Sequence, residues 1–148
     1  MENYAIFVDS SADIAPSFLK QQDIHILAMS YVIGGEQCEY SKAENEANLR
    51  QFYARQRNGE VCQTSQASPQ QFIDAFDPVL KSGRDILYIS LSGGLTNTHD
   101  SIYLVKTELL EQYPDTHIYE IDSLSATGGI GLLAEAAVKL RVLAEDRE

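Results

Sequence analysis

Apolar residues fall along this chain in two alternating rhythms. Tyr4-Ala5-Ile6-Phe7-Val8, Ile86 to Ser90 and His117 to Ile121 are short unbroken runs rich in β-branched and aromatic residues, and they predict strands. The run from Ile86 suits a strand buried on both faces. Ile24 to Ala28 and Tyr31 to Ile33 read as a second extended stretch, ended by Gly34-Gly35. Between these runs the apolar positions recur at helical spacing. Pro16 opens a short helix reaching Gln22. Ser41-Lys42-Ala43-Glu44 has capping-box spacing and starts a helix to about Gln56, with Leu49, Phe52 and Tyr53 on one face and Asn58-Gly59 as its stop. Ser68-Pro69-Gln70-Gln71 repeats the start signal before Phe72, Phe76 and Leu80. Pro78 inside that pattern predicts a kink or a break. Ile102, Val105, Leu109 and Leu110 mark a further helix, ended by Pro114-Asp115. A last helix carries Leu132, Leu133, Ala136, Ala137, Leu140 and Leu143.

Strands alternating with helices predict an α/β fold: a mostly parallel sheet with right-handed crossovers and helices on both faces. No internal repeat or low-complexity linker interrupts the pattern. At 148 residues, with 44% hydrophobic and 22% charged side chains, the chain suffices for one domain with a real core.

Charge narrows the partners. The net charge is -11 and the Lys and Arg residues are scattered, which argues against a nucleic acid. No apolar run is long enough for a transmembrane segment, and no basic-then-apolar leader stands at the N-terminus, so the expected location is cytoplasmic. Cys38 and Cys62 lack the neighbours of a zinc site or a disulfide framework and read as structural or surface thiols.

The chemistry gathers where strands stop. Val8 runs into DSSAD, Ile89 into SLSGGLTNT and Ile121 into DSLSATGG. In a parallel sheet such loops emerge on one edge, the carboxyl edge, where open α/β sheets bind ligands. A fourth hydroxyl segment, Thr64-Ser65-Gln66-Ala67-Ser68, precedes a helix start. Hydroxyls, glycines and free N–H groups suit a small anion. None of these loops holds Lys or Arg, so neutral donors would meet the charge, which favours a carboxylate over a polyphosphate. DSSAD and TSQAS also serve as ordinary caps and turns. SGGLTNT has more hydroxyls and glycines than one cap requires.

Other constellations fail. The chain has no P-loop, no G-x-G-x-x-G after its first strand and no G-x-S-x-G elbow. His99 and Asp100 adjoin the serine loop, but a triad joins residues from separate loops. His25 and His117 fall in predicted strands and read as structural.

The ordered segments VDSSAD, TSQAS, ISLSGGLTNTHDS and IDSLSATGGIGLL resemble the DegV family, whose members include the fatty-acid-binding subunits of the bacterial fatty acid kinase. The family's usual forms are TDS-(S/T)-AD, TSQPS, LSSGLSGTYQSA and DS-x-x-x-S-x-G. The resemblance implies a DegV N-terminal-domain-like fold over residues 1–148, with the family's second lobe absent from this chain. It implies a lipid-binding protein and not an enzyme, with a long-chain fatty acid as ligand and no cofactor or metal. The carboxylate would be held by Thr64, Ser65, Ser92, Gly93, Gly94 and Thr96, with Asp9, Ser10, Ser11, Asp122 and Ser123 in supporting loops. Its implied partner is a fatty acid kinase catalytic subunit, where the kinase activity would reside; an exposed apolar patch on the face the second lobe would cover would favour a dimer with a second copy. The chain departs from the family pattern at Ala67 (usually Pro), Gly93 (Ser), Thr96-Asn97 (Ser-Gly) and His99 (commonly Tyr). Phe72, Phe76, Leu95, Ile102 and Leu133 are either walls of a tunnel for the acyl tail or ordinary core. Two other functions remain open: an enzyme or phosphocarrier for a small phosphorylated or hydroxylated metabolite, and a non-catalytic dimerising scaffold.

Overall fold

Two of the apolar runs become the inner strands of a parallel sheet. In a computed structural model of the chain, which describes residues 4–39 and 45–145, β1 (Tyr4–Asp9) lies between β2 (Ile24–Leu27) and a strand from Asp85–Ser90, beyond which runs Ile118–Asp122. All of these pairings are parallel. Side chains alternate across a strand, so each inner strand feeds two cores. Ala5, Phe7, Ile86 and Tyr88 pack with Phe72, Phe76, Ile102 and Leu109 on one face. Ile6, Val8 and Ile89 pack with Leu19, Ile130, Ala134 and Val138 on the other.

The middle of the chain builds a second, smaller sheet. β3 (Ser30–Ile33) pairs antiparallel with β4 (Glu36–Glu39) and β5 (Cys62–Ser65), in the order β4-β3-β5. Sequence periodicity joined residues 24–28 and 31–33 into one extended stretch and assigned neither β4 nor β5. Those two strands, EQCE and CQTS, carry no apolar alternation. The hairpin between β3 and β4 turns on Gly34 (φ 57°) and Gly35 (φ 81°), and a type I′ turn requires positive φ at both positions. α2 (Asn45–Arg57) bears on this sheet through Phe52, whose ring meets Tyr31 edge-on at 5.2 Å. The capping box expected at Ser41 to Glu44 lies outside the described residues. Arg55 ties helix to hairpin by donating to Glu60, to Glu36 and to the Ile33 carbonyl. Cys38 and Cys62 sit opposite Tyr31 and Ile33 on either side of β3. Two strand spacings of about 5 Å each separate them, beyond disulfide reach, and both are free thiols.

The remaining helices follow the sequence with two differences. α1 (Pro16–Gln21) starts on Pro16 as expected. α3 (Pro69–Lys81) opens with the predicted capping box, in which Gln71 N donates to Ser68 Oγ and Ser68 N donates to Gln71 Oε1. The helix runs unbroken through Pro78, so no break occurs there. Phe76 on one side and Val79-Leu80 on the other are buried and hold the last turn in register. The other strands and helices are β6 (Asp85–Ser90), α4 (Thr98–Gln112), β7 (Ile118–Asp122) and α5 (Gly128–Glu145). α5 is apolar on more than one face: Ile130, Ala134, Ala137 and Val138 are buried, while Leu132, Leu140 and Leu143 are exposed. Tyr119 and Ile121 of β7 are exposed as well.

His25 stacks on Phe7 at 4.7 Å, and burial holds its imidazole below the ordinary range, in keeping with a structural role. Beneath the carboxyl edge, the Tyr88 hydroxyl donates to Asp9 Oδ1 at 2.5 Å, and both residues are buried. Burial first, and then the Asp9 carboxylate, push the phenol far above its usual range, so it remains a donor. Tyr88→Phe takes away one acceptor–donor contact of a buried carboxylate. It is expected to cost about 1–3 kcal/mol in urea unfolding, with an unchanged dependence on denaturant.

Candidate functional site

Parallel pairing of β1, β6 and β7 brings their carboxyl ends to one edge, and two buried or half-buried carboxylates knit the loops there. Asp9, at the end of β1, accepts from Tyr88 through one oxygen and from Leu91 N through the other. Asp122, at the end of β7, accepts Gly93 N at 3.3 Å on each oxygen and Leu124 N at 2.9 Å. Ser10 Oγ accepts Met29 N at 3.0 Å and so anchors the β2–β3 connection to the end of β1. Ser123 N donates to the Ser90 carbonyl, and the Ser123 hydroxyl closes a local turn with Ser125.

The serine–glycine loop satisfies its own backbone. Ser92 N donates to the Ser125 carbonyl, Gly94 N to Ser92 Oγ, and Leu95 N to the Ser92 carbonyl. With Leu91 N on Asp9 and Gly93 N on Asp122, each backbone N–H from Leu91 to Leu95 has a protein acceptor. A ligand arriving at this loop must therefore meet side-chain hydroxyls or displace an internal acceptor.

Two adjoining clefts open beside these loops. The larger, about 710 Å³, is lined by Ser10, Ser11 and Thr127 of the main-sheet loops and by Tyr31, Ile33 and Phe52 of the small sheet and α2. The smaller, about 440 Å³, is lined by Gln66, Gly93, Gly94, Leu95 and Thr96. Met29, Thr64 and Leu91 line both. These volumes lie within the range of small-molecule sites. Segments from all four hydroxyl-bearing stretches thus meet around one junction, and Thr64 stands at it.

The expected head-group residues divide. Thr64, Gly93, Gly94 and Thr96 line the smaller cleft. Thr64 makes no side-chain hydrogen bond among the described residues, and the Thr96 hydroxyl lies 2.8 Å from that of Thr98. Ser65 lines neither cleft, because alternation along β5 turns it to the face opposite Thr64. Ser92 also lines neither, its hydroxyl being spent on Gly94 N. Asp9, Asp122 and Ser123 lie behind the lining and brace it, whereas Ser10 and Ser11 face the larger cleft. The Ser11 hydroxyl oxygen is buried with no hydrogen-bond partner among the described residues. The His99 side chain lies outside the described part of the structure.

Of the residues named as tail walls, Phe72, Phe76 and Ile102 are fully buried core and line neither cleft. Leu133 lines neither, and Leu95 lines the smaller. Met29 and Tyr31 were not singled out in the sequence. They reach the site only because the small sheet folds against the carboxyl edge, and the positive-φ glycine pair was the available signal for that sheet.

Among the described residues no Lys or Arg lines the smaller cleft. Arg55 lines the larger but is paired with Glu36 and Glu60. Among the described residues no group of three or more His, Cys, Asp or Glu side chains could hold a metal, and no helix is long and apolar enough to cross a membrane.

A family model described as "Uncharacterised protein, DegV family" matches residues 3–144. A DegV domain-containing protein of Clostridium perfringens is 34% identical over 142 residues, covering 95% of this chain and 48% of the relative. A Thermotoga maritima protein, whose structure is described as revealing fatty acid binding function, superposes with a TM-score of 0.81 at 28% identity, over 95% of this chain and 49% of its own. The Fatty Acid Kinase (Fak) B3 protein of Streptococcus pneumoniae, solved loaded with linoleic acid, gives a TM-score of 0.77 at 25% identity, over 93% and 48%. The chain spans about half the length of these relatives. With the mostly parallel sheet, the hydroxyl loops in order along it and a family match over nearly its whole length, the chain belongs to the DegV family.

Proposed function

We propose that this chain binds a long-chain fatty acid, with the carboxylate at the junction of the two clefts and the tail along apolar lining. The observation that carries the reading is the meeting of Thr64, Thr96, Ser11 and the glycine turn around Met29 and Leu91. The fatty acids of the Thermotoga and Streptococcus relatives support it. Thr64 donates to the head group from the rim of β5, Thr96 can turn its hydroxyl from Thr98 to the ligand, and Ser11 offers a buried hydroxyl without a hydrogen-bond partner among the described residues. Ser65 and Ser92 support the loops and do not touch the ligand.

Magnitudes decide which end dominates. A hydrogen bond to a charged group contributes about 1.5–3 kcal/mol, and each buried methylene about 0.8 kcal/mol. A long tail therefore outweighs the head in affinity, and the hydroxyls set orientation and reject lipids that leave them unpaired. The reading makes the chain a cytoplasmic carrier and not a catalyst: it presents the acid to a separate fatty acid kinase catalytic subunit. A further lobe of the kind that fills the other half of its relatives would complete the enclosure. Association with a second copy is assigned to the exposed apolar strip of Leu132, Leu140 and Leu143 on α5.

The first test is chemical. Purified protein, denatured and extracted with organic solvent, is expected to release stoichiometric fatty acid detected by mass spectrometry. Its absence from this chain together with its presence in a longer chain carrying the second lobe would assign enclosure to that lobe. Its absence from both would end the reading. The second test is a substitution. Thr64→Ala is expected to weaken fatty acid binding by about 10- to 100-fold, the worth of one hydrogen bond to a charged group, and to shorten residence in a displacement assay. Unchanged affinity and residence would remove Thr64 from the head-group site.

A further inference from the structure

One face of the small sheet forms the floor of the larger cleft, and two of its six side chains are thiols. Strand pairing sets Thr64, Tyr31 and Cys38 in one row across β5, β3 and β4, and Cys62, Ile33 and Glu36 in the next. All of them line the larger cleft. Side chains alternate along a strand, so Cys62 shares the face of Thr64 and follows it at about 7 Å along β5, against about 10 Å across the sheet for Cys38. Both thiols are free and half-buried. Burial first, and then the Cys38 thiol beside it, hold the Tyr31 phenol above its ordinary range, which leaves it a neutral neighbour of both sulfurs. A cysteine in a closed core is inert because nothing reaches it, whereas a partly exposed one meets whatever enters its cleft.

We propose that Cys62 and Cys38 are modification sites within the lipid cleft, and that their ligands are acyl lipids carrying a double bond conjugated to a carbonyl. This rests on the fatty-acid reading, which brings an acyl chain over the small sheet, and extends it to a second class of ligand. In the addition, the thiol sulfur bonds to the alkene carbon farther from the carbonyl, and the thiol proton ends on the nearer one. The double bond is consumed, no group leaves and no oxidant is required. Cys62 meets such a chain first, because it stands nearer the head-group donor Thr64. A modified sulfur then fills the cleft, so covalent capture and fatty acid carriage exclude each other.

Two maleimides that share the reacting alkene and differ in tail provide the test. The wild-type chain is labelled with N-ethylmaleimide or N-dodecylmaleimide, each rate is divided by that of free glutathione, and the labelled residue is located by peptide mass spectrometry. The long tail is expected to speed labelling of Cys62 by about 10-fold or more, which burial of about two methylenes supplies. Palmitic acid at about ten times its Kd is expected to slow that labelling by about 10-fold, and labelled protein to lose its binding of a fluorescent fatty acid. Cys62→Ser and Cys62→Ala are each expected to leave only the slower label at Cys38. Equal relative rates for the two maleimides at both cysteines, in protein that binds palmitic acid, would overturn the proposal and leave the fatty-acid reading standing. Labelling of both cysteines that bound palmitic acid does not slow would do the same. Wild-type protein that binds neither palmitic acid nor the fluorescent acid would remove the fatty-acid reading itself, and this inference with it.

Discussion

Asp9 is the residue on which the site depends. It closes β1, an inner strand paired on both sides, and its carboxylate lies buried between the Tyr88 hydroxyl and the Leu91 amide. A buried carboxylate must be satisfied by hydrogen bonds. Here the Tyr88 hydroxyl and the Leu91 amide come from β6 and the loop that leaves it. The requirement that stabilises Asp9 therefore fixes where the serine–glycine loop begins, and with it the positions of Gly93, Gly94 and Thr96 beside Thr64. Without parallel pairing of β1 with β6, the carboxylate and its donors would not share an edge.

A division of labour follows. Acidic groups hold the loops, with Asp9 beneath and Asp122 behind, and hydroxyls face the clefts. The backbone amides of residues 91–95 all have acceptors within the protein. The loop therefore keeps its shape through its own bonds, and in the proposed reading recognition passes to Thr64, Thr96 and Ser11.

Much of this was legible in the sequence, for reasons tied to particular residues. The runs at Tyr4 to Val8 and Ile86 to Ser90 are apolar on both faces because both faces are covered, so their strand character was plain. The parallel pattern then placed DSSAD, SLSGGLTNT and DSLSATGG on one edge. The small sheet was hidden because EQCE and CQTS are polar on both faces and owe their pairing to a glycine hairpin and to α2. That gap also hid the direction of Ser65, which only a strand assignment for residues 62–65 could turn away from Thr64. Pro78 misled because its helix is anchored by buried side chains on both sides of the proline. Phe72, Phe76 and Ile102 proved to be core, since helical periodicity marks burial without distinguishing a core from a tunnel wall.

The account turns on where a ligand's head group lies relative to the sheet. A crystal structure of this protein with palmitic acid measures that directly. The predicted result is a carboxylate within hydrogen-bond reach of Thr64 Oγ1 at the carboxyl edge, with the tail passing Met29 and Leu91. A head group found at the opposite edge, or at the carboxyl edge but out of reach of Thr64 and Thr96, would contradict it.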